Sequence, residues 1–165
     1  VVANSNSSNI GVFLSVGNGT FFAQVTYPTD SGPSSIAIAD INGDNKLDIM
    51  VSNYNADSLS ILYNINNGTF SPHITYAIVS NPISVGIADM NGDGNLDIVV
   101  ASGSSKYFGV LISFDNGTIS AQVTYAISYV PKSMILSDIN MDNKTDNIFA
   151  CYNDGYINIM RAICY

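Results

Sequence analysis

The chain repeats itself at a spacing of 49 residues, and this repeat limits the possible folds more than any other feature. In each copy an Asn-Gly-Thr tripeptide is followed by a Thr-Tyr pair and then by a loop rich in aspartate. A period near 50 residues with strand-forming segments is typical of propellers and β arrays, because helical solenoids have shorter repeats or a 3.6-residue pattern. The landmarks of the three copies are Asn18, Tyr27 and Asp40; Asn67, Tyr76 and Asp89; and Asn116, Tyr125 and Asp138.

Short segments rich in β-branched and aromatic residues lie between clusters of Asn, Gly, Ser and Asp, which predicts strands joined by turns. The pair Asn67-Gly68 tolerates positive φ, so it predicts a tight hairpin in the middle repeat. Four strands in 49 residues correspond to one propeller blade. The strands predicted in the middle repeat are 48–53, 58–64, 70–76 and 83–88.

We therefore predict an all-β fold, an array of four-stranded antiparallel blades that amounts to about three and a half blades of a β-propeller. Residues 1–165 are predicted to form one repeat domain, with repeats at about 1–48, 49–97 and 98–146 and a partial repeat at 147–165. An open array exposes a sheet edge and an uncovered face, so self-association or the remainder of a longer propeller is the expected partner. Two such arrays would total about seven blades.

The three aspartate-rich loops carry oxygen side chains at positions 1, 3, 5 and 9. Alternate positions of a tight loop point toward one centre, which is how a hard cation with six to eight oxygen ligands is enclosed. The predicted side-chain ligands are Asp40, Asn42, Asp44 and Asp48 in the first loop, Asp89, Asn91, Asp93 and Asp97 in the second, and Asp138, Asn140, Asp142 and Asp146 in the third.

The remaining loop positions also have predicted roles. Position 6 is Asn or Gly, the residues that enter the left-handed region most easily. Apolar residues such as Ile41 and Leu47 are predicted to anchor the loop to the core. Position 7 is predicted to contribute a backbone carbonyl while its side chain points outward, and its residues are Lys46, Asn95 and Lys144.

The charge balance favours calcium as the cation, with up to three ions. Five basic residues stand against 13 acidic ones, all aspartate, which gives a formal charge of −8. Nine of those aspartates lie in the three loops, where they would repel one another without a cation. Magnesium is disfavoured by its octahedral geometry, and zinc or copper would require His or Cys. The alternative is that these loops are solvated turns without metal, since the same residues dominate turns.

Segment 87–100, which reads Ile-Ala-Asp-Met-Asn-Gly-Asp-Gly-Asn-Leu-Asp-Ile-Val-Val, resembles the core of the FG-GAP or VCBS-type repeat. That repeat is the blade unit of integrin-α-like propellers. The resemblance implies calcium at the matching Asp and Asn positions, a seven-bladed disc, and adhesion or recognition outside the cell. The chain departs from the family pattern at Met141, which replaces a loop glycine, at Asn147, which reads as an extra residue, and in lacking a Gly-Ala-Pro element.

Other features limit the function. The acidic charge excludes a nucleic-acid binder, and no apolar run is long enough to span a bilayer. An enzyme is not expected, because glutamate is absent and most aspartates are assigned to metal. Cys151 and Cys164 can bridge each other, pair with another chain or remain thiols. Five Asn-x-Ser/Thr sequons occur, and the glycosylation candidates are those at the hairpin tips, Asn18, Asn67 and Asn116.

These observations predict a secreted or extracellular calcium-binding propeller module for adhesion to, or recognition of, a protein or glycan. Two alternatives remain open at this point. The same blades can form a self-assembling subunit of an extracellular filament or sheath, or they can be an accessory module of a secreted carbohydrate-active enzyme.

Overall fold

The computed structural model describes residues 1–114, 116–151 and 156–160. No helix of this described part is long and apolar enough to cross a membrane. A short 3-10 turn covers Ser5–Ser7, and the other regular elements are strands. These strands are β1 (Val2–Asn4), β2 (Asn9–Val12), β3 (Val25–Pro28), β4 (Pro33–Ala39), β5 (Asp48–Asn53), β6 (Ser58–Leu62), β7 (Asn64–Asn66), β8 (Thr69–Phe70), β9 (Ile74–Ala77), β10 (Pro82–Ala88), β11 (Asp97–Ser102), β12 (Tyr107–Leu111), β13 (Val123–Ala126), β14 (Pro131–Ser137), β15 (Asp146–Cys151) and β16 (Tyr156–Met160).

The strands form four antiparallel meander sheets in chain order. The first sheet is β1-β2-β3, the second is β4-β5-β6-β9, the third is β10-β11-β12-β13, and the fourth is β14-β15-β16. A small ribbon of β7 and β8 projects from the second sheet. The strands β4, β10 and β14, each the first of its sheet, lie beside one another, as the inner strands of propeller blades do. The predicted all-β fold of propeller-like blades is therefore confirmed.

The strand predictions at 48–53 and 83–88 agree with β5 and β10, but the predicted strands 58–64 and 70–76 are too long. The pairing of β6 with β5 ends at Leu62. The Asn64 amide does not continue this pairing, because it donates to the buried Asp48 carboxylate at 2.8 Å. Pro72 also lacks an amide for the ladder. The Asn67-Gly68 hairpin exists, at the tip of the separate ribbon.

The strands of the third sheet and those of the fourth pair in the same register when residues 49 positions apart are compared. Ile87 faces Ile98 in the third sheet, and Leu136 faces Asn147 in the fourth. Asn147 thus takes the place of an isoleucine, and the prediction that it is an extra residue is wrong. The asparagine continues the strand pairing and is buried like its counterpart, although its side-chain Oδ1 has no hydrogen-bond partner among the described residues.

Each sheet packs face to face on the next through alternate side chains of its strands. We call the face toward the following sheet the leading face and the opposite one the trailing face. Leu59 and Ile61 on the leading face of the second sheet pack with Ile98 and Val100 on the trailing face of the third, and all four are fully buried. The same arrangement joins the first sheet to the second and the third to the fourth.

Two of the linkers between sheets form hydrogen bonds with residues in or next to the outermost strand of the following sheet. Asp30, in the linker after the first sheet, accepts hydrogen bonds from Ser58 Oγ at 2.8 Å and Thr75 Oγ1 at 3.0 Å, and lies 3.3 Å from His73 Nε2. One repeat later, Gln122 occupies the place of His73 and accepts a hydrogen bond from the Val79 amide at 2.9 Å. The side chain that precedes β9 and the one that precedes β13 therefore each hold the linker before their sheet.

Replacing Ile61 with alanine is expected to lower the free energy of unfolding by about 2–5 kcal/mol, because it leaves a cavity between two sheets. Ile65→Ala, at an isoleucine that is 59% exposed in β7, is expected to change stability little. Urea unfolding of both variants checks this. Equal costs for the two would contradict the packing described here.

The stability that Asp30 provides is expected to depend on pH. Burial raises the pKa of the Asp30 carboxyl, but hydrogen bonds from Ser58, Thr75 and His73, together with the His73 charge, outweigh it and hold the pKa below 3.8. A lowered pKa stabilises the fold above the unfolded value, and this contribution is lost as the pH falls through the folded value. Asp30→Asn should therefore cost about 1–3 kcal/mol at neutral pH, and less below about pH 4.

Urea unfolding of Asp30→Asn and the native chain, measured side by side at several pH values, tests this. The difference between the two isolates Asp30, because the other carboxylates titrate in both proteins. A difference that stays constant down to the most acidic measurable pH would contradict the prediction.

Candidate metal-binding loops and the loop face

The three acidic loops close the same hairpin in three successive sheets. Each connects the first strand of a sheet to the second: β4 to β5, β10 to β11, and β14 to β15. In an antiparallel meander the connection from the third strand to the fourth lies at the same end, so the Asn-Gly tips share that end with the acidic loops. We call this end the loop face. A Cβ placed on Gly117, at the tip of the third sheet, would lie 3.3 Å from the Asn42 Cβ in the first loop.

The aspartate at position 9 is the buried member of each loop. Asp48, Asp97 and Asp146 have no exposed surface. Asp97 accepts a hydrogen bond from the Met90 amide at 2.8 Å and another from the Ser113 amide at 2.9 Å. Its carboxylate therefore joins the beginning of its own loop to the segment after the third strand.

The same two contacts recur around Asp48, which accepts from the Ile41 amide at 3.3 Å and from the Asn64 amide at 2.8 Å. In the third loop Asp146 accepts from the Ile139 amide at 3.2 Å. The sequence predicts these aspartates only as metal ligands, whereas the structure shows that each also organises the backbone around it.

The buried carboxylates carry an electrostatic cost. Burial raises the pKa of Asp48, and the neighbouring charges of Asp44 and Asp40 raise it further, while the two backbone hydrogen bonds lower it. Burial and the charges of Asp93 and Asp89 raise the pKa of Asp97 in the same way. A positive charge near these loops would relieve this repulsion.

The side chains at positions 1 and 3 turn inward onto the loop backbone. Asp40 Oδ1 and Asn42 Oδ1 both accept from the Asp44 amide at 3.1 Å, and Asp40 Oδ2 accepts from the Asn45 amide at 2.7 Å. Asp138 and Asn140 make the equivalent contacts in the third loop. These oxygens thus converge, and backbone amides occupy part of their acceptor capacity.

Position 5 differs between the loops. In the first loop the Lys46 ammonium lies 3.1 Å from Asp44 Oδ2, and this hydrogen bond lowers the pKa of Asp44. The Lys46 side chain therefore lies on the exposed side of the loop, beside the carboxylate at position 5. In the second loop position 7 is Asn95, whose amide donates to Asp93 Oδ1 at 2.8 Å and lowers the pKa of Asp93. Asp93 has no lysine at the matching place.

The loop backbone requires left-handed residues at two positions. Position 6 has φ values of 61° at Asn45, 91° at Gly94 and 61° at Asn143, as predicted. Position 4 is left-handed as well, and Met141 adopts a φ of 62° there with its side chain 90% exposed. The third loop therefore keeps the loop shape despite losing its glycine, at the cost of a conformation that methionine rarely adopts.

Only one of the two predicted apolar anchors is buried. Ile41 is 4% exposed and packs in the core between the second and third sheets, whereas Leu47 is 58% exposed. The prediction for Leu47 is wrong, because the loop is anchored at this end by the buried Asp48 carboxylate, which accepts hydrogen bonds from the Ile41 and Asn64 amides.

The donor set of the loops fits a hard cation, since it consists of carboxylate and amide oxygens. A carboxylate offers about four lone pairs, so the backbone contacts leave acceptor capacity for an ion. Within the described ranges, however, no three His, Cys, Asp or Glu side chains lie close enough together to hold a metal ion. Calcium at the three loops therefore stays a prediction.

The hairpin tips place the predicted glycosylation residues at the surface. Asn18, Asn67 and Asn116 are all exposed. Asn18 Oδ1 accepts from the Thr20 amide at 3.1 Å and from its hydroxyl at 2.5 Å, and Asn116 makes the same contacts with Thr118. Glycosylation of these tips stays a prediction. Of the two cysteines, Cys151 is a buried free thiol and Cys164 lies outside the described residues.

A groove of about 570 Å³ lies on the loop face between the second sheet and the tip of the third. It is lined by Tyr63 and Tyr76, by Asn42 and Asp44 of the first loop, and by segment 116–119. Burial, the nearby Tyr76 and the Asp48 charge raise the pKa of Tyr63 to about 12. The Tyr63 hydroxyl thus stays protonated and can donate a hydrogen bond.

Sequence reasoning missed the roles of the aspartates outside the loops. Asp30 and Asp57 have no motif around them, yet Asp30 binds a linker to the second sheet, and Asp57 Oδ1 accepts from the Asn81 amide at 2.7 Å. His73 is half-buried beside Asp30. The residues 49 positions away from Asp30 and Asp57 are not acidic, so the repeat does not indicate the roles of these two aspartates.

Four successive meander sheets, three of them with an acidic hairpin loop, define a class of protein, the repeat arrays of propeller blades. The sequence model of the FG-GAP-like repeat matches residues 1–51 and 40–100. The chain therefore belongs to the FG-GAP-like repeat family. The match ends at residue 100, but the fourth sheet keeps the strand register of the third. No curated protein matches the chain.

Asp97→Ala is expected to destabilise the protein by at least about 2 kcal/mol with a chelator present, because it leaves the buried Ser113 amide and the half-buried Met90 amide without an acceptor. Asp93→Ala removes an exposed carboxylate of the same loop, so its melting temperature in the chelator should stay close to that of the native chain. Thermal melts in EDTA test both variants. Equal effects would contradict the structural role assigned to position 9.

Proposed function

We propose that the chain is a calcium-braced, non-catalytic recognition module that works outside the cell and binds a protein or glycan through its loop face. One observation carries the proposal. Three loops with the same oxygen spacing close the same hairpin in three successive sheets, each with a buried carboxylate at its base. Solvated turns would not need to repeat four oxygen positions at a spacing of 49 residues.

Electrostatics support the choice of a cation. The chain has a formal charge of −8, and burial together with neighbouring carboxylates raises the pKa values of Asp48 and Asp97. Three bound calcium ions would bring the formal charge to about −2. The acidic loops thus gain most from a divalent cation, and an extracellular module with a Kd of ~0.1–1 mM meets enough calcium outside the cell.

The second loop is the best candidate for the first ion. Its residues Asp89, Asn91, Asp93 and Asp97 would hold the ion, with the Asn95 carbonyl at position 7, and no lysine competes for Asp93. In the first loop Lys46 would have to leave Asp44. When bound, the ion supplies two positive charges that offset carboxylate repulsion and link the two strands of the hairpin.

The groove on the loop face is the proposed contact for a ligand. Tyr63 and Tyr76 offer ring surface and hydroxyl groups, while Asn116 and Thr118 offer amide and hydroxyl groups. Half-buried aromatic rings beside amide groups suit the sugar rings of a glycan or the side chains of a protein loop. Asn42 and Asp44 line the same groove, so calcium binding at the first loop would fix one part of the ligand site.

Calcium is expected to raise the melting temperature. For a Kd of ~0.1–1 mM, 1 mM calcium contributes roughly 0.4–1.5 kcal/mol per site, which over three sites corresponds to several degrees. Asp93→Asn should lose about a third of this increase, since it disables one loop of three. Differential scanning calorimetry in calcium and in EDTA measures the effect.

Asp57→Asn is the matched control, because it removes an equal charge outside the loops while keeping an oxygen for the Asn81 amide. It should keep the full response to calcium, and magnesium should replace calcium poorly. Identical melting temperatures in calcium and EDTA for the native chain would refute the proposal.

A further inference from the structure

The fourth sheet has an apolar leading face with no sheet packed on it among the described residues. Ile135, Ile157 and Ile159 are 62%, 69% and 52% exposed. They alternate along β14 and β16 with residues that face the third sheet, such as Met134. Three large isoleucines in water on one face form an exposed apolar surface of the kind that marks interaction sites.

The repeat shows what normally covers these positions. Phe108 and Val110, the counterparts of Ile157 and Ile159 in the third sheet, are 3% and 6% exposed because the fourth sheet covers them. Leu59 and Ile61, the counterparts in the second sheet, are fully buried under the third sheet. In both internal cases the occupant is the trailing face of another sheet of this chain.

The first sheet exposes the complementary surface. Val2 and Phe13 on its trailing face are 48% and 39% exposed. Their counterparts in the second sheet, Val51 and Leu62, are fully buried beneath Ile10 of the first sheet. The molecule therefore presents in water both halves of an interface that it forms three times internally.

We propose that the leading face of the fourth sheet docks on the trailing face of the first sheet in a second copy of the chain. The contact is head to tail and continues the internal stacking of sheets, with isoleucines over Val2 and Phe13 as Leu59 and Ile61 lie over the third sheet. The surface is distinct from the loop face and does not depend on calcium or on the proposed ligand.

Strand positions determine how many sheets such a pair contains. The first sheet has the counterparts of β5, β6 and β9, and the fourth has those of β10, β11 and β12. Both sheets therefore already contain the two middle strands of a blade. The first sheet of one copy and the fourth sheet of another cannot combine into a single blade. The described parts of two copies bring eight sheets rather than the seven blades obtained by adding halves, and eight is the upper end of the usual propeller range of about four to eight.

Three lysine variants test the proposal at positions that are already exposed, so the fold is expected to persist. Ile157→Lys disables the leading face of the fourth sheet, and Val2→Lys disables the trailing face of the first. Ile65→Lys is the control, at an isoleucine that is 59% exposed on the β7 ribbon and belongs to neither face. Each lysine reduces the net negative charge, so weaker association cannot arise from added repulsion between chains.

Analytical ultracentrifugation over roughly a hundredfold range around micromolar concentration measures the mass of each protein. The native chain and Ile65→Lys are expected to associate, whereas Ile157→Lys and Val2→Lys should each raise the dissociation constant at least about tenfold, because a buried lysine charge is unpaired. Circular dichroism confirms that each variant is folded.

Mixing the two disabled variants tests the head-to-tail geometry. Val2→Lys keeps an intact fourth sheet and Ile157→Lys keeps an intact first sheet, so the mixture should recover one interface and form a dimer. A monomeric native chain over the whole range overturns the proposal. So does association of either variant alone at native strength, equal loss in the Ile65→Lys control, or a mixture that stays monomeric.

Discussion

The fold depends on a buried aspartate in three of its four sheets, and at Asp48 and Asp97 this residue is held between two backbone amides from different segments. Taking a carboxylate out of water is expensive, so the chain must keep both donors in place wherever this residue occurs. At Asp97 those donors come from Met90, at the start of the acidic loop, and from Ser113, after the third strand. The loop geometry and the interruption of the outer hairpin therefore follow from the same charge.

The sequence predicts the parts of the structure that the repeat records three times. The strand order, the left-handed residues at position 6 and the position of the hairpin tips follow from residue types that recur at 49-residue intervals. The end of β6 could not be predicted, because it depends on a hydrogen bond between Asn64 and a residue 16 positions earlier. Likewise, the exposure of Leu47 could not be predicted, because local composition does not reveal that the adjacent Asp48 carboxylate is buried in its place.

The sequence predicts which residues form the candidate site, but not the separate roles that these residues have in the structure. Spacing alone makes all four oxygen positions equivalent, whereas the structure separates a buried carboxylate that organises the backbone from exposed ones that remain open to an ion. It also distinguishes Asp44, which already has a lysine partner, from Asp93, which lies beside Asn95. Such differences arise from burial and side-chain direction, which the spacing of the residues does not reveal.

Because each sheet packs on the sheets next to it, the stability of a sheet depends on its immediate neighbours. An interior sheet is held on both faces, whereas a terminal one is held on a single face, so opening should begin at the ends and proceed inward. Amides in β5 and β11 would then exchange with solvent most slowly, and those in β1 and β16 fastest. The linker contacts at Asp30 and Val79 oppose this stepwise opening. Each contact joins the linker after one sheet to the next sheet, so that the two sheets separate less easily.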